Sequence, residues 1–271
     1  MANFKLGVCT WTFGDQALSQ TAQRLAALGY DGVELLGDLS LYTASRAAQI
    51  LEDNGLAVFS LTPANVDIAH PNPSLRQPAL DYFFRLLDFA AELGQPLVSC
   101  HGFVGRIAPV SNMIEEDELL VNAVWQIGQR AAERNLRIVF EVLNRYETHQ
   151  IHTGEEALRM IEVLNLENVG VLLDAYHMNI EERNPAQAIR DVGSRLWLYH
   201  AADSNRQAVG RGHTDFRAQV DALYDIKYDG PIIIECTAPG PNPFTPDKGN
   251  NWREILEIHL DESRKWFEKH G

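Results

Sequence analysis

The chain has 271 residues, 45% of them hydrophobic and 22% charged, enough to bury one large core without requiring two. Lys and Arg number 23 against 37 Asp and Glu, a formal net charge of −14; with no basic patch to offset it, this surface argues against nucleic acid and anionic membranes as partners. Three widely separated cysteines, Cys9, Cys100 and Cys236, argue against a disulfide framework or a zinc knuckle.

The first strand-like run, Leu6–Trp11, begins almost at once, with no charged stretch and long apolar segment of a signal peptide before it. No window approaches the roughly 18 apolar residues of a membrane span, so a cytoplasmic chain is expected. Seven further apolar runs follow: Gly32–Leu36, Ala57–Thr62, Pro96–His101, Arg137–Leu143, Val169–Ala175, Leu196–Ala201 and Pro231–Thr237. They are near-continuous rather than alternating, as parallel strands buried on both faces are. Gly29 and Gly94 stand where a helix should stop before the next strand. Before the fifth run, Leu119, Leu120, Ala123, Val124, Ile127 and Ala131 repeat at helical spacing behind an acidic first turn, Glu115–Glu118. Thr153-Gly154-Glu155-Glu156 reads as a capping box. A last helix from Trp252 to Phe267 carries Ile255, Leu256, Leu260 and Trp266 on one side.

No linker or charge block divides the chain, so residues 1–271 are expected to form a single domain. A doubly wound sheet usually shows a glycine-rich turn after its first strand, where this chain has Cys9-Thr10-Trp11-Thr12-Phe13-Gly14. Eight strand–helix units predict an α/β fold, the (β/α)8 TIM barrel, whose chemistry sits at the C-terminal ends of its strands.

Those ends are polar here. The fifth strand closes on Glu141, the sixth on Asp174 with His177 a turn later, the seventh on His200 and the eighth on Glu235. Taken singly, such a residue is more often a helix cap or a packed polar group. Four on consecutive strands, each directly after about three apolar residues, point to a shared site. Three carboxylates converging in a low-dielectric cavity repel one another unless a cation compensates them. Two Glu, one Asp and one His suit one divalent metal, Mn2+, Mg2+ or Co2+, better than structural zinc.

The segments Glu141-Val142-Leu143-Asn144-Arg145-Tyr146-Glu147 and Leu173-Asp174-Ala175-Tyr176-His177-Met178-Asn179-Ile180-Glu181-Glu182 carry a resemblance. So do His200 with Ser204-Asn205-Arg206, Gly210-Arg211-Gly212, Ile234-Glu235 and Trp252-Arg253. Together they resemble the ketose 3-epimerases, the D-tagatose and D-psicose 3-epimerase group, of the xylose isomerase-like TIM barrels. The resemblance implies a small-molecule sugar as substrate, Mn2+ as the first choice of metal, and paired barrels, a homodimer or homotetramer. It implies that the metal binds the sugar's O2 and O3, and that one of Glu141 and Glu235 removes the C3 proton to give a metal-stabilised enediolate. The other then returns a proton on the opposite face. His177 and Arg206 would donate hydrogen bonds to O2, and Glu147 would meet the terminal hydroxyls.

Some positions depart from that pattern. Ala201-Ala202-Asp203 stands where a glycine and a glutamate are expected, so Asp203 serves in place of the glutamate or the pocket is reshaped. The earlier strand ends, which would face the far end of the sugar, offer Trp11, Glu34, Thr62, His101 and Phe103; Trp11 and Phe103 are the candidates for an apolar wall, and Glu34 for an outer-shell group. Gly210-Arg211-Gly212-His213 after strand seven leaves a sugar phosphate open. The loop Pro239–Asn251, stiffened by Pro239, Pro241, Pro243 and Pro246, is a candidate lid or interface. The alternatives are another isomerase or epimerase of the superfamily, of hydroxypyruvate or inositol-pathway type. More distant is an apurinic-site endonuclease drawing also on His101, His213 and Asp215; it would need a histidine where Thr62 stands. A non-catalytic sugar-binding protein would not need carboxylates on both faces of one carbon.

Overall fold

A computed structural model describes residues 4–238 and 248–271. Eight parallel strands pair each with the next and β8 with β1, closing a barrel. They are β1 (Leu6–Cys9), β2 (Gly32–Leu36), β3 (Ala57–Thr62), β4 (Leu97–Cys100), β5 (Ile138–Val142), β6 (Val169–Asp174), β7 (Leu196–Ala201) and β8 (Ile232–Ile234). Every one lies within its expected run. Helices α1 (Leu18–Leu28), α2 (Ala44–Glu52), α3 (Pro73–Glu92), α4 (Met113–Ala132) and α5 (Gly154–Leu164) follow the first five strands in turn. Two short helices, α6 (Ala175–Glu181) and α7 (Pro185–Val192), follow β6; α8 (Phe216–Asp225) and α9 (Trp252–His270) follow β7 and β8. Among the described residues no helix is long and apolar enough to cross a membrane.

Two-residue periodicity decides what each strand residue meets. Val8, Val33, Val98, Ile138, Phe140, Val171 and Ile232 join the large core under the helices. Their neighbours Cys9, Leu97, Val139, Leu172, Leu198 and Ile233 form a separate cluster that fills the barrel. Phe59 and Trp197 pack against this inner cluster. They have room because Gly7, Gly32 and Gly170 stand beside them: a Cβ on Gly7 would come within 2.9 Å of the Phe59 ring, and one on Gly170 would overlap the Trp197 indole. The residue two past an inner hydrophobe stays on the inner face and one layer higher. Val139 leads in this way to Glu141, Leu172 to Asp174, Leu198 to His200 and Ile233 to Glu235.

Local signals are realised where they were clearest. Thr153 and Glu156 make both halves of the capping box on α5, and Gly29 ends α1 in the left-handed region at φ 82°. Gly94, at φ 106°, lies just beyond the end of α3. The acidic first turn of α4 hides a difference. Glu116 is buried, paired with Arg106, and accepts from Val110 N at 2.6 Å and Ser111 N at 2.8 Å; these donors hold its carboxyl down near 2 although burial pushes it up. Pro239, Pro241, Pro243 and Pro246 lie outside the described residues.

Candidate active site

Glu141, Asp174, His200 and Glu235 meet at the top of the inner cluster. Nδ1 of His200 lies 3.8 Å from Glu141 Oε1 and 3.6 Å from Glu235 Oε2, too far for hydrogen bonds. Asp174 does two things at once. Its Oδ1 accepts from Tyr176 N at 2.9 Å and caps α6, while Oδ2 is buried with no hydrogen-bond partner. His200 Nδ1 is likewise buried and unsatisfied. Orphaned buried polar atoms are rare, and an acceptor oxygen and a ring nitrogen aimed into a cluster of carboxylates are donor atoms for a divalent cation. The residues present therefore fit a metal of the hard, oxygen-preferring kind.

The ring nitrogen's readiness comes from the layer below. Glu34, fully buried on β2, accepts from Ser60 Oγ and Thr62 Oγ1, each at 2.6 Å, from Cys9 Sγ at 2.9 Å and from His200 Nε2 at 3.2 Å. Burial alone would lower the His200 pKa, but Glu34 and Glu235 raise it well above the usual value; a bound cation would displace the Nδ1 proton, leaving Nε2–H on Glu34 and the Nδ1 lone pair for the metal. Cys9, Glu34, His200 and Glu235 also form a compact group of donor atoms. Burial, then the charges of Glu34 and Glu235, push the Cys9 thiol far up, so it remains a hydrogen-bond donor, and the oxygens of Glu34 are occupied by donors. This group shares His200 and Glu235 with the four strand-end residues and brings Cys9 and Glu34 against them.

Packing three acids here distorts their titration. Burial, and then Glu235, lift Asp174 to about 7. Burial also raises Glu141, outweighing the pull of His200. Glu235 goes the other way: burial is overcome by His200 and Arg206 and it stays ionised. Trp11 Nε1 and Arg206 Nη1 each donate to Glu235 at 3.0 Å.

A cavity of about 350 Å³ opens over this cluster, lined by Trp11, Thr62, His101, Glu141, Glu147, His177, Arg206 and Glu235 among others. Arg206 holds a left-handed backbone, φ 56°, and its guanidinium lies 4.2 Å from the centre of the Tyr176 ring. Its Nη2 is 3.7 Å from Glu147 Oε1. His177 is buried and its pKa falls well below the usual value, through burial first and Arg206 second, so it is neutral. His101 Nδ1 donates to Gly102 O at 2.7 Å, and burial lowers its pKa too.

Several expectations need correction. The apolar side of the cavity is made by Trp11, Leu36, Pro63, Val104 and Leu143, and Phe103 is not part of it; the turn after β4 presents the next side chain instead. Asp203 does not take the place of a pocket glutamate. It is buried and accepts from Ser204 N at 2.7 Å, Gly210 N at 2.8 Å and Thr214 N at 3.1 Å, with Gly212 N also bonded to it. These N–H groups of the glycine-bearing loop after β7 are thereby occupied by Asp203. His213 is exposed and bonded to Ser204 Oγ at 3.0 Å, and Asp215 caps α8; neither reaches the cluster, which removes the nuclease ligand set. Asn144, Tyr176 and Cys9 are the members of the site that residue types alone did not single out. The signal available was position: Cys9 and Glu34 are register partners, each on the inner face.

Comparison with known proteins agrees with this geometry. Residues 22–263 match the family described as xylose isomerase-like TIM barrel. A ketose 3-epimerase of Arthrobacter globiformis is 33% identical over 237 residues, 83% of this chain and 80% of that protein. A 3-dehydro-D-guloside 4-epimerase of Escherichia coli is 28% identical over 247 residues, 88% of this chain and 94% of that one. The crystal structure of a D-psicose 3-epimerase with D-tagatose from Clostridium cellulolyticum has the same fold, with a TM-score of 0.87 at 22% identity over 98% of this chain and 99% of that chain. The chain therefore belongs to the xylose isomerase-like TIM barrel family, grouped with its ketose 3-epimerases.

Proposed function

We propose that the chain is a divalent-metal-dependent epimerase that inverts C3 of a free ketose. The observation supporting this most is the pair Glu141 and Glu235, flanking one imidazole at 3.8 and 3.6 Å in a buried cavity and titrating in opposite directions. Epimerisation beside a carbonyl needs one group to take a proton from one face and another to return one to the opposite face. Paired carboxyls with diverging environments are the usual means. One of Glu141 and Glu235 takes the C3 proton and the other returns one; Glu235, held ionised by His200 and Arg206, is ready as the base in one direction. In the reverse direction the roles exchange.

A divalent cation on Glu141, Asp174, His200 and Glu235, with Mn2+ before Mg2+ or Co2+, supplies Lewis acidity beside the carbonyl. Arg206 and His177 donate to O2 as it gains charge in the enediolate. Because His177 is neutral, it contributes an N–H rather than a cation. Glu147 takes the terminal hydroxyls, with Trp11 and His101 closing the pocket around the sugar. The N–H groups held by Asp203 favour a free sugar over a phosphorylated one. We place the enzyme in the cytoplasm, as one barrel per chain and a homodimer or homotetramer.

The test is deuterium uptake from D2O, followed by NMR, with metal-stripped protein, with and without Mn2+, on fructose, psicose, tagatose, sorbose, ribulose and xylulose. Metal-dependent exchange at C3 with formation of the epimer is expected. Exchange at C1 with an aldose product would make the protein an isomerase. No exchange on any of them would overturn the free-ketose reading and direct attention to keto-glycosides, the substrate class named for the Escherichia coli relative.

A further inference from the structure

We infer that Asn144 is a positioning residue that fixes the tautomer of His177 and the setting of Glu147; the inference rests on the pocket reading above. Asn144 lies just past the end of β5, buried, three residues after Glu141. Its amide orientation is dictated by a group that can only donate: Tyr146 N gives its hydrogen to Asn144 Oδ1 at 2.9 Å. The NH2 end therefore faces the other way. One of its hydrogens goes to His177 Nδ1 at 2.7 Å and the other to Glu147 Oε1 at 3.1 Å. The backbone N–H of the same residue points at His177 Nδ1 from 3.3 Å.

Two N–H groups converging on one ring nitrogen require that nitrogen to be an acceptor. The single proton of a neutral imidazole then sits on Nε2, the atom that lies 3.6 Å from Asp174 Oδ2 and faces the ligand cluster. This is what a group meant to stabilise a developing oxyanion needs, because the other tautomer would turn a lone pair toward the negative oxygen. The clamp reaches further. Through its second hydrogen Asn144 holds Glu147 against Arg206, so one buried amide sets the donor at O2 and the acceptor proposed for the far hydroxyls. Tyr176, edge-on to His177 with ring centres 5.3 Å apart, confines the imidazole from the side.

The tautomer can be read without turnover. Protein labelled with 15N-histidine and loaded with diamagnetic Mg2+ gives long-range proton–nitrogen correlations in which each tautomer has its own pattern, and His177→Gln assigns the signal. The wild type is expected to carry its proton on Nε2. Asn144→Asp, which sets a charged acceptor against Nδ1 beside the weaker backbone donor, is expected to draw the proton toward Nδ1 and to lower kcat by at least about tenfold. Asn144→Ala keeps the backbone donor; it is expected to retain the tautomer while raising KM through the released Glu147. A wild-type proton on Nδ1, or Asn144→Ala with both kcat and KM within twofold of normal, would overturn the inference. Should no ketose be turned over, the epimerase reading fails alone, and the spectra still decide the role of Asn144.

Discussion

Exchanging Glu34 for Gln should weaken divalent-metal binding through His200, because the proposed ligand set places Glu34 behind that imidazole. The carboxylate accepts from four donors, Ser60, Thr62, Cys9 and His200. A glutamine has one acceptor oxygen, and its NH2 would oppose whichever donors faced the lost one. Three of the four can turn: the two hydroxyls and the thiol rotate about a single bond. The imidazole can escape only by moving its proton to Nδ1, where it would point at Glu141, Glu235 and the cation. Loss of such an outer partner typically costs about 10–100-fold in metal affinity, or about 1.4–2.7 kcal/mol. Calorimetric titration of stripped wild-type and Glu34→Gln protein with Mn2+ measures it, with circular dichroism to establish that the barrel is intact. An affinity within about twofold of the wild type would refute the idea that Glu34 sets His200. A loss beyond roughly a thousandfold would refute it differently, by making Glu34 itself a ligand.

Metal binding should also depend on pH in a definite direction. Asp174, lifted to about 7, holds a proton below that value which a cation must displace, and Glu141 and His200, both raised, add to the effect; affinity for Mn2+ should fall at least about tenfold per pH unit below about pH 7, and a flat profile between pH 5.5 and 8 by calorimetry would refute this. Glu141→Gln and Glu235→Gln should each abolish turnover while leaving the thermal transition cooperative, and a near-normal rate in either would end the two-glutamate mechanism. Gly170→Ala should push the Trp197 indole off its seat; overpacking of this kind costs about 1–3 kcal/mol, and about 2–4 °C of Tm for each. An unchanged Tm would show that the barrel floor is not close-packed there.

The barrel and its metal-ligand candidates were readable because each strand carries its own evidence. A run such as Ile138-Val139-Phe140 before Glu141 declares both burial on two faces and an abrupt polar end, and neither depends on distant residues. Glu34 was harder, since its meaning lies in His200, 166 positions away. Asn144 stood inside a recognised segment, but its task depends on His177, 33 positions on, and on a backbone donor that no residue type reveals. Glu116 was hidden among like neighbours in one helical turn, and Arg106 and His149 from other loops decide that it, rather than Glu115, is buried. The choice of Val104 over Phe103 is a matter of how an irregular turn after β4 rotates, and turns of that kind have no period to read.

The loop closed by Asp203 has a consequence for ion selectivity. A ring of converging N–H groups is a receptor for any anion of suitable size, and the one it receives here is tethered a few atoms away. A tethered carboxylate competes at an effective concentration in the millimolar range or above, so a free anion must reach a comparable level to displace it. The loop therefore carries its own anion and needs none from solution to order it. Asp203→Gly would leave the receptor in place and remove its resident, so that the folding of one loop would come to depend on the ionic composition of the medium.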